Sequence, residues 1–178
     1  MGLLGFWKLA MITIALLNTA AFLSITLGIP LGIFCATRPK FYAFIRPVMD
    51  FMQTMPAFVF MIPIIAFFGV GKVAAVLITM IFGGTPVVRF TVLGLKGVPS
   101  NVREAAISYG ASKWYLLTKI DLPLAMPTIM AGVNQTVLLS LTMVVVASLV
   151  GAKGLGLEVL EALQYTNVGQ GILAGIAI

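Results

Sequence analysis

The chain has 178 residues, of which 61% are hydrophobic and only 9% carry a charged side chain. Water-soluble domains of this size have about a quarter charged residues, so the composition excludes a soluble globular fold and requires lipid around most of the chain. The single cysteine and the lack of histidine leave no disulfide framework and no common general base, and we expect no metal, no cofactor and no catalytic residue.

Long apolar runs predict membrane-spanning helices along the whole chain. A helix needs about 20 apolar residues to cross a hydrocarbon core of ~30 Å, and four segments meet this length. The predicted complete spans cover residues 9–36, 46–68, 72–95 and 125–150. Segment 168–178 is also apolar, but 11 residues of helix reach only about 16 Å, so we interpret it as the start of a fifth, incomplete span. The predicted fold is an all-α, polytopic membrane bundle in a single transmembrane domain, residues 1–178.

Helix-breaking residues occur within each of the four complete spans. Proline and glycine free backbone carbonyls that neighbouring helices or water must then satisfy, and kinked helices of this kind can line a cavity. Any one of these residues is ordinary in a membrane helix, but four interrupted spans together favour a conduit over a passive anchor. The predicted interruptions are Pro30, Pro56 with Pro63, Gly83-Gly84-Thr85-Pro86, and Pro127.

Residues 97–123, between the third and fourth spans, form the one long polar segment and predict two short helices. Asn101 is a plausible N-cap, and Glu104 three residues later completes a capping-box pattern. Gly110 is expected to end the first helix, Ser112 to cap the second and Pro123 to stop it before the membrane. The sequence therefore predicts a compact helical hairpin at one membrane face.

The net charge of +6 is distributed as in membrane proteins, not as in a nucleic-acid-binding surface. If segment 97–123 is cytoplasmic, eight basic residues lie on or near that side and three lie outside, as the positive-inside rule expects. This orientation places the N-terminus outside. The inner group is Arg38, Lys40, Arg46, Arg89, Lys96, Arg103, Lys113 and Lys119, and the outer group is Lys8, Lys72 and Lys153.

Residues 154–164, which follow the fourth span, predict an amphipathic helix on the outer face. Glu158 and Glu161 fall on one side, and Leu157, Leu160 and Leu163 lie near the other.

The hairpin contains a residue pattern that resembles a known family signature. Glu104-Ala105-Ala106, Gly110, Ile120 and Leu122-Pro123, at their spacing, resemble the EAA motif of ABC importer permeases. The resemblance implies a type I importer permease core and a role for these seven residues in coupling to a separate ATPase. Small alanines allow close approach of a partner, Glu104 offers a carboxylate to a cation, and Gly110 permits a sharp turn.

Two longer stretches, 46–58 and 122–136, resemble permeases for glycine betaine, proline betaine and choline. This resemblance implies an importer of quaternary amine osmolytes in the bacterial cytoplasmic membrane. The implied partners are ABC ATPase subunits, an extracytoplasmic substrate-binding protein or domain, a second permease copy that forms a homodimer, and the lipid bilayer. Lys153 departs from the family pattern, where an uncharged residue is expected.

Uncharged polar residues within the spans are candidates for the pathway lining, since exposing them to lipid is costly. Hydrogen bonding between packed helices is an equally good interpretation of each one. Arg46 and Asp50 have the spacing of a local ion pair, and Arg89 is expected to extend towards the cytoplasmic interface or to face the pathway. The pathway candidates are Gln53, Thr54, Asn134, Gln135, Ser140 and Thr142.

Alternative functions differ in how transport would be driven. The chain has no glycine-rich loop ending in Gly-Lys-Ser/Thr, so an ABC permease would draw its energy from another chain. A secondary transporter or channel would predict acidic residues near mid-membrane, and the four complete spans have none there. An importer for another small solute, such as methionine, is the closer alternative.

Overall fold

A computed structural model describes residues 2–178, and every regular element in that range is helical. Within these described residues, three helices are long and apolar enough to cross a membrane, and one bent pair of shorter helices passes the same test together. The helices are α1 (Gly2–Thr37), α2 (Pro39–Thr54), α3 (Ala57–Phe68), α4 (Lys72–Lys96), α5 (Ser100–Ser108), α6 (Lys113–Tyr115), α7 (Leu122–Leu149), α8 (Leu155–Gln164) and α9 (Val168–Ala177). The all-helical membrane fold predicted from composition is confirmed.

The second predicted span is two helices, α2 and α3, which meet at an angle of 103°. Met55 adopts an extended conformation, and Pro56 follows it as the residue before α3. Proline has no N–H to donate and disfavours helical geometry in the residue before it, so Pro56 ends α2. The predicted interruption at Pro56 is therefore a sharp bend, whereas Pro63 lies inside α3 without ending it.

The prolines at the other predicted interruptions do not end a helix, because α1, α4 and α7 continue through them. Pro30 lies inside α1, Pro86 inside α4 and Pro127 inside α7. A proline removes one hydrogen bond within a helix, and packing along the rest of a long helix outweighs that loss.

Helix α4 is the centre of the bundle, with α1 and α7 packed along it. Glycines allow the close approach: a Cβ at Gly32 of α1 would lie 2.6 Å from the Thr91 side chain of α4. A Cβ at Gly132 of α7 would lie 2.6 Å from the Phe90 side chain. Small residues at crossings let membrane helices gain van der Waals contact, so these glycines set the packing of the core.

Substituting Gly132 with valine should destabilise the bundle, because the added side chain forces α7 away from α4. We expect a loss of about 1–3 kcal/mol, as for overpacked cores. Gly175→Val in α9 is the matched control, since a Cβ there meets nothing within 4 Å. Thermal unfolding of the two variants in detergent measures the difference, and equal midpoints would contradict this packing.

Candidate functional site

The turn of the hairpin 97–123 is built as the sequence predicts. Gly110 has φ +82°, a left-handed conformation that glycine adopts readily. The Gly110 N–H donates to the Ile107 carbonyl at 2.8 Å, and the Ala111 N–H donates to the Ala106 carbonyl at 3.0 Å. These two bonds form a Schellman motif, which satisfies the last carbonyls of α5. The prediction that Gly110 ends the first helix is confirmed.

The second arm begins at the predicted residue but does not stop where predicted. Ser112 caps it, because its Oγ accepts a hydrogen bond from the Tyr115 N–H at 3.2 Å. A π-helical stretch, Leu116–Asp121, then joins α6 directly to α7. Pro123 lies inside this continuous helix without ending it, so the predicted stop at Pro123 is wrong.

The start of the hairpin also differs from the prediction. Helix α5 begins at Ser100 after Pro99, and it has no side-chain cap. The Asn101 Oδ1 instead accepts from the neighbouring Val102 N–H at 3.0 Å. The predicted capping box of Asn101 and Glu104 is therefore wrong, because α5 already begins at Ser100 and Asn101 lies inside its first turn instead of at the cap position.

Arg103 fixes the hairpin to the bundle, a role that the sequence does not reveal. Its Nε donates to Asp121 Oδ1 at 2.7 Å, and its Nη2 donates to the Leu95 carbonyl at 2.6 Å. One side chain thus joins α5, the π-helical stretch and the end of α4. The Asp121 side chain is only 14% exposed, so the ion pair is largely protected from water.

Three of the seven predicted coupling residues meet at one open pocket of about 570 Å³. Ala106 of α5, Gly110 of the turn and Ile120 of the π-helical stretch line it together with Tyr109 and Tyr115. The remaining four lie elsewhere: Glu104 and Ala105 are exposed on α5, Leu122 packs on the core of the bundle, and Pro123 is exposed.

Aromatic side chains surround this pocket and extend into solvent. Tyr109 is 93% exposed and Trp114 is 74% exposed. Such side chains are enriched where proteins bind one another, because each supplies a large rigid contact area. We name the pocket and its rim, residues 106–115 with Ile120, the docking surface.

The predicted pathway residues divide into exposed and buried sets. Gln53, Thr54, Asn134, Gln135 and Thr142 are exposed in the single chain. Gln135 and Thr142 are seven residues apart on α7 and share one face of that helix.

Ser140 differs from the other pathway candidates because it is 1% exposed. Its Oγ donates to the Thr136 carbonyl at 2.8 Å. A Cβ at Gly83 of α4 would lie 2.8 Å from the same Ser140 Oγ. Ser140 thus belongs to the α4–α7 packing and faces no open space. Its hydrogen bond lies within α7, so Ser140 does not supply the predicted hydrogen bond between packed helices.

Asp50 lies between two arginines. The predicted pair with Arg46 is present, with Nε to Oδ2 at 3.8 Å. Arg89 of α4 makes the closer contact, donating from Nη2 to Asp50 Oδ1 at 2.5 Å. Arg89 therefore pairs across to α2, a contact that the sequence does not predict.

Comparisons with known proteins show which proteins this chain is similar to. The family model described as binding-protein-dependent transport system inner membrane component matches residues 28–178. The glycine betaine/proline betaine permease ProW of Escherichia coli is 48% identical over 99% of this chain and 50% of its own length. The glycine betaine/carnitine permease GbuB of Listeria monocytogenes is 46% identical over 98% of this chain and 62% of its own. The chain thus spans about half to two thirds of these curated relatives.

A solved structure shows the same fold at low sequence identity. A chain of the inward-facing MetNI methionine ABC transporter superposes with a TM-score of 0.83 and 21% identity. The match covers 99% of this chain and 90% of that chain. Its helical arrangement is therefore the one described above.

Proposed function

The chain belongs to the family of binding-protein-dependent transport system inner membrane components, and from this premise we propose that it is the permease subunit of an ATP-driven importer for quaternary amine osmolytes. It forms the translocation pathway in the bacterial cytoplasmic membrane. The observation that carries the proposal is the 45–48% identity, along 98–99% of the chain, to permeases named for glycine betaine. Glycine betaine is accordingly the first substrate to test.

The docking surface supports coupling to a separate ATPase. It combines an open pocket with exposed aromatic rims, and it lies on a hairpin that Arg103 fixes to α4 and to the start of α7. A push on a rigid hairpin moves both of those helices, whereas a flexible loop would absorb it. ATP hydrolysis in the partner would then drive a switch between two packings of the bundle.

The remaining proposed partners follow from the importer class. A binding protein delivers substrate on the outer face, where α8 lies in the proposed orientation, and a second copy of this chain completes the pathway. Exposed polar residues on α2 and α7 support a lining shared with that copy, since a single chain leaves Gln53, Asn134 and Gln135 uncovered.

Two alternatives remain weaker. The methionine transporter structure supports the fold alone, because it is only 21% identical to this chain. An ATP-independent transporter or channel would have no use for a rigid hairpin with an exposed aromatic rim.

Reconstitution tests the proposal directly. Proteoliposomes containing the full chain, its cognate ATPase and its binding protein should accumulate labelled glycine betaine only when ATP is present. Omitting the binding protein is the control, and it should reduce uptake to background. Equal uptake without ATP would favour the secondary transporter, and accumulation of methionine but not of glycine betaine would reassign the substrate.

A further inference from the structure

An ion pair between Arg89 and Asp50 joins α4 to α2. Arg89 is seven residues before Lys96, the last residue of α4, which places it about 10 Å from that helix end. Charges at such depth in membrane proteins face the protein interior or a water-filled cavity, because exposure to lipid is costly. The Arg89–Asp50 pair therefore marks a polar side of the bundle.

Helix α2 separates that polar side from an apolar one. Val48 and Met52 line an apolar groove against α1 and α4. Arg46, Asp50 and Gln53 lie on the other side of the same helix, as the period of 3.6 residues requires. The apolar side packs towards α1 and α4, which leaves the partly exposed charged side to turn towards the pathway.

Polar residues of α7 lie at the same level of the bundle. Gly132 of α7 packs against Phe90 of α4, the residue after Arg89. Asn134 and Gln135 follow Gly132 by two and three residues, so they are within about one turn of the level of Arg89. Three helices thus contribute charged or amide side chains to one layer.

The Arg89–Asp50 pair is open, unlike the ion pair that fixes the hairpin. The side chains of Arg89 and Asp50 are 39% and 46% exposed, whereas Asp121 is 14% exposed. Arg103 donates to two acceptors, while within the described residues Arg89 donates to Asp50 alone. A guanidinium has five N–H donors, so Arg89 keeps several for a ligand.

We infer that Arg89 and Asp50 form a transient binding point for a small zwitterion, with the substrate carboxylate on Arg89 and its quaternary ammonium beside Asp50. The inference rests on the proposed function and names the residues that would contact the substrate inside the permease. The positive Arg89 compensates the substrate carboxylate, and the negative Asp50 compensates its ammonium group. The charges of Arg89 and Asp50 cancel each other, so Arg46 is the remaining charge beside them. Arginine suits the carboxylate end because its planar fork matches carboxylate geometry.

A purely structural role is the competing interpretation, in which the pair only holds α2 against α4. The double variant Asp50→Leu with Arg89→Met separates the two roles. Apolar residues of similar volume often replace an ion pair without loss of stability, so a structural contact would survive the change. A binding point would lose both of its charges.

The experiment uses the proteoliposomes described above, with labelled glycine betaine as the probe. We expect the apolar double variant to bind its ATPase and to hydrolyse ATP within about twofold of the wild type, as for loss of a partly exposed pair. Uptake of glycine betaine should fall about tenfold or more, since polar recognition is lost. Lys96→Met is the control, because it removes a positive charge from the same helix, and its uptake should stay within about twofold.

The outcomes decide between the roles. Uptake near the wild-type rate in the apolar variant would overturn the inference. A loss of uptake that only matches a loss of assembled complex would overturn it as well. If that variant does not assemble, Arg89→Lys decides, because it keeps the charge and loses the fork. A fall of about threefold with unchanged ATP hydrolysis supports binding, and unchanged uptake overturns it. Absence of uptake by the wild type would instead refute the proposed function.

Discussion

Replacing Gly110 with valine should uncouple ATP hydrolysis from transport while leaving the chain inserted in the membrane. Gly110 has φ +82°, and a β-branched residue in a left-handed conformation costs about 1–2 kcal/mol. Nothing lies within 4 Å of a Cβ at this position, so the effect arises from the backbone and not from a clash within the chain. The turn must then rearrange, which displaces the docking surface from its partner. We expect the number of substrates transported per ATP to fall about tenfold.

Gly69 provides the matched control for this substitution. It also has a positive φ, +74°, and a Cβ there meets nothing within 4 Å, but it lies in the turn between α3 and α4. Gly69→Val should carry at least as much strain, because ψ is 178° there and essentially only glycine adopts that combination of angles, yet it should leave the ratio of transport to ATP hydrolysis near that of the wild type. A similar loss in both variants would indicate general destabilisation and would contradict a specific role for the turn at Gly110.

Removing the Arg103 side chain should detach the hairpin from the bundle. Arg103→Ala leaves the mostly buried Asp121 carboxylate without its partner and the Leu95 carbonyl without one donor. Loss of a hydrogen bond that involves a charged group costs about 1.5–3 kcal/mol. We expect a lower thermal midpoint in detergent and weak co-purification with the ATPase.

Arg46→Ala is the control, because Arg46 is 67% exposed and its 3.8 Å contact with Asp50 is long. Exposed ion pairs contribute about 0–1 kcal/mol, so this variant should keep its stability and its ATPase. Co-purification of Arg103→Ala at wild-type yield would show that the hairpin needs no such attachment.

The membrane fold could be predicted from the sequence because it depends on local properties. Apolar runs set the positions of α1, α4 and α7, and turn chemistry set Gly110 and the cap at Ser112. Both signals lie within a few residues of the structure they determine. The effect of each proline could not be read in the same way. Pro56 ends a helix, while Pro30 and Pro127 lie within one, because packing along each helix decides whether it continues.

The contacts that build the candidate site could be predicted only in part. Arg46 and Asp50 are four residues apart, so helical periodicity identifies them. Arg103 and Asp121 are 18 residues apart and Arg89 and Asp50 are 39 apart, and no repeat relates such positions. Ser140 could not be distinguished from Gln135 for a similar reason, because its burial depends on which residue of α7 lies against Gly83 of α4.

Site-specific photo-crosslinking tests the central claim, that the docking surface contacts the ATPase. A photoreactive phenylalanine analogue would replace Tyr109, which is 93% exposed on the docking surface, or Tyr165, which is 78% exposed after α8. In the assembled complex, we expect Tyr109 to crosslink to the ATPase subunit and Tyr165 not to do so. A crosslink to the ATPase from Tyr165 alone would place the hairpin on the opposite side of the membrane and contradict the account.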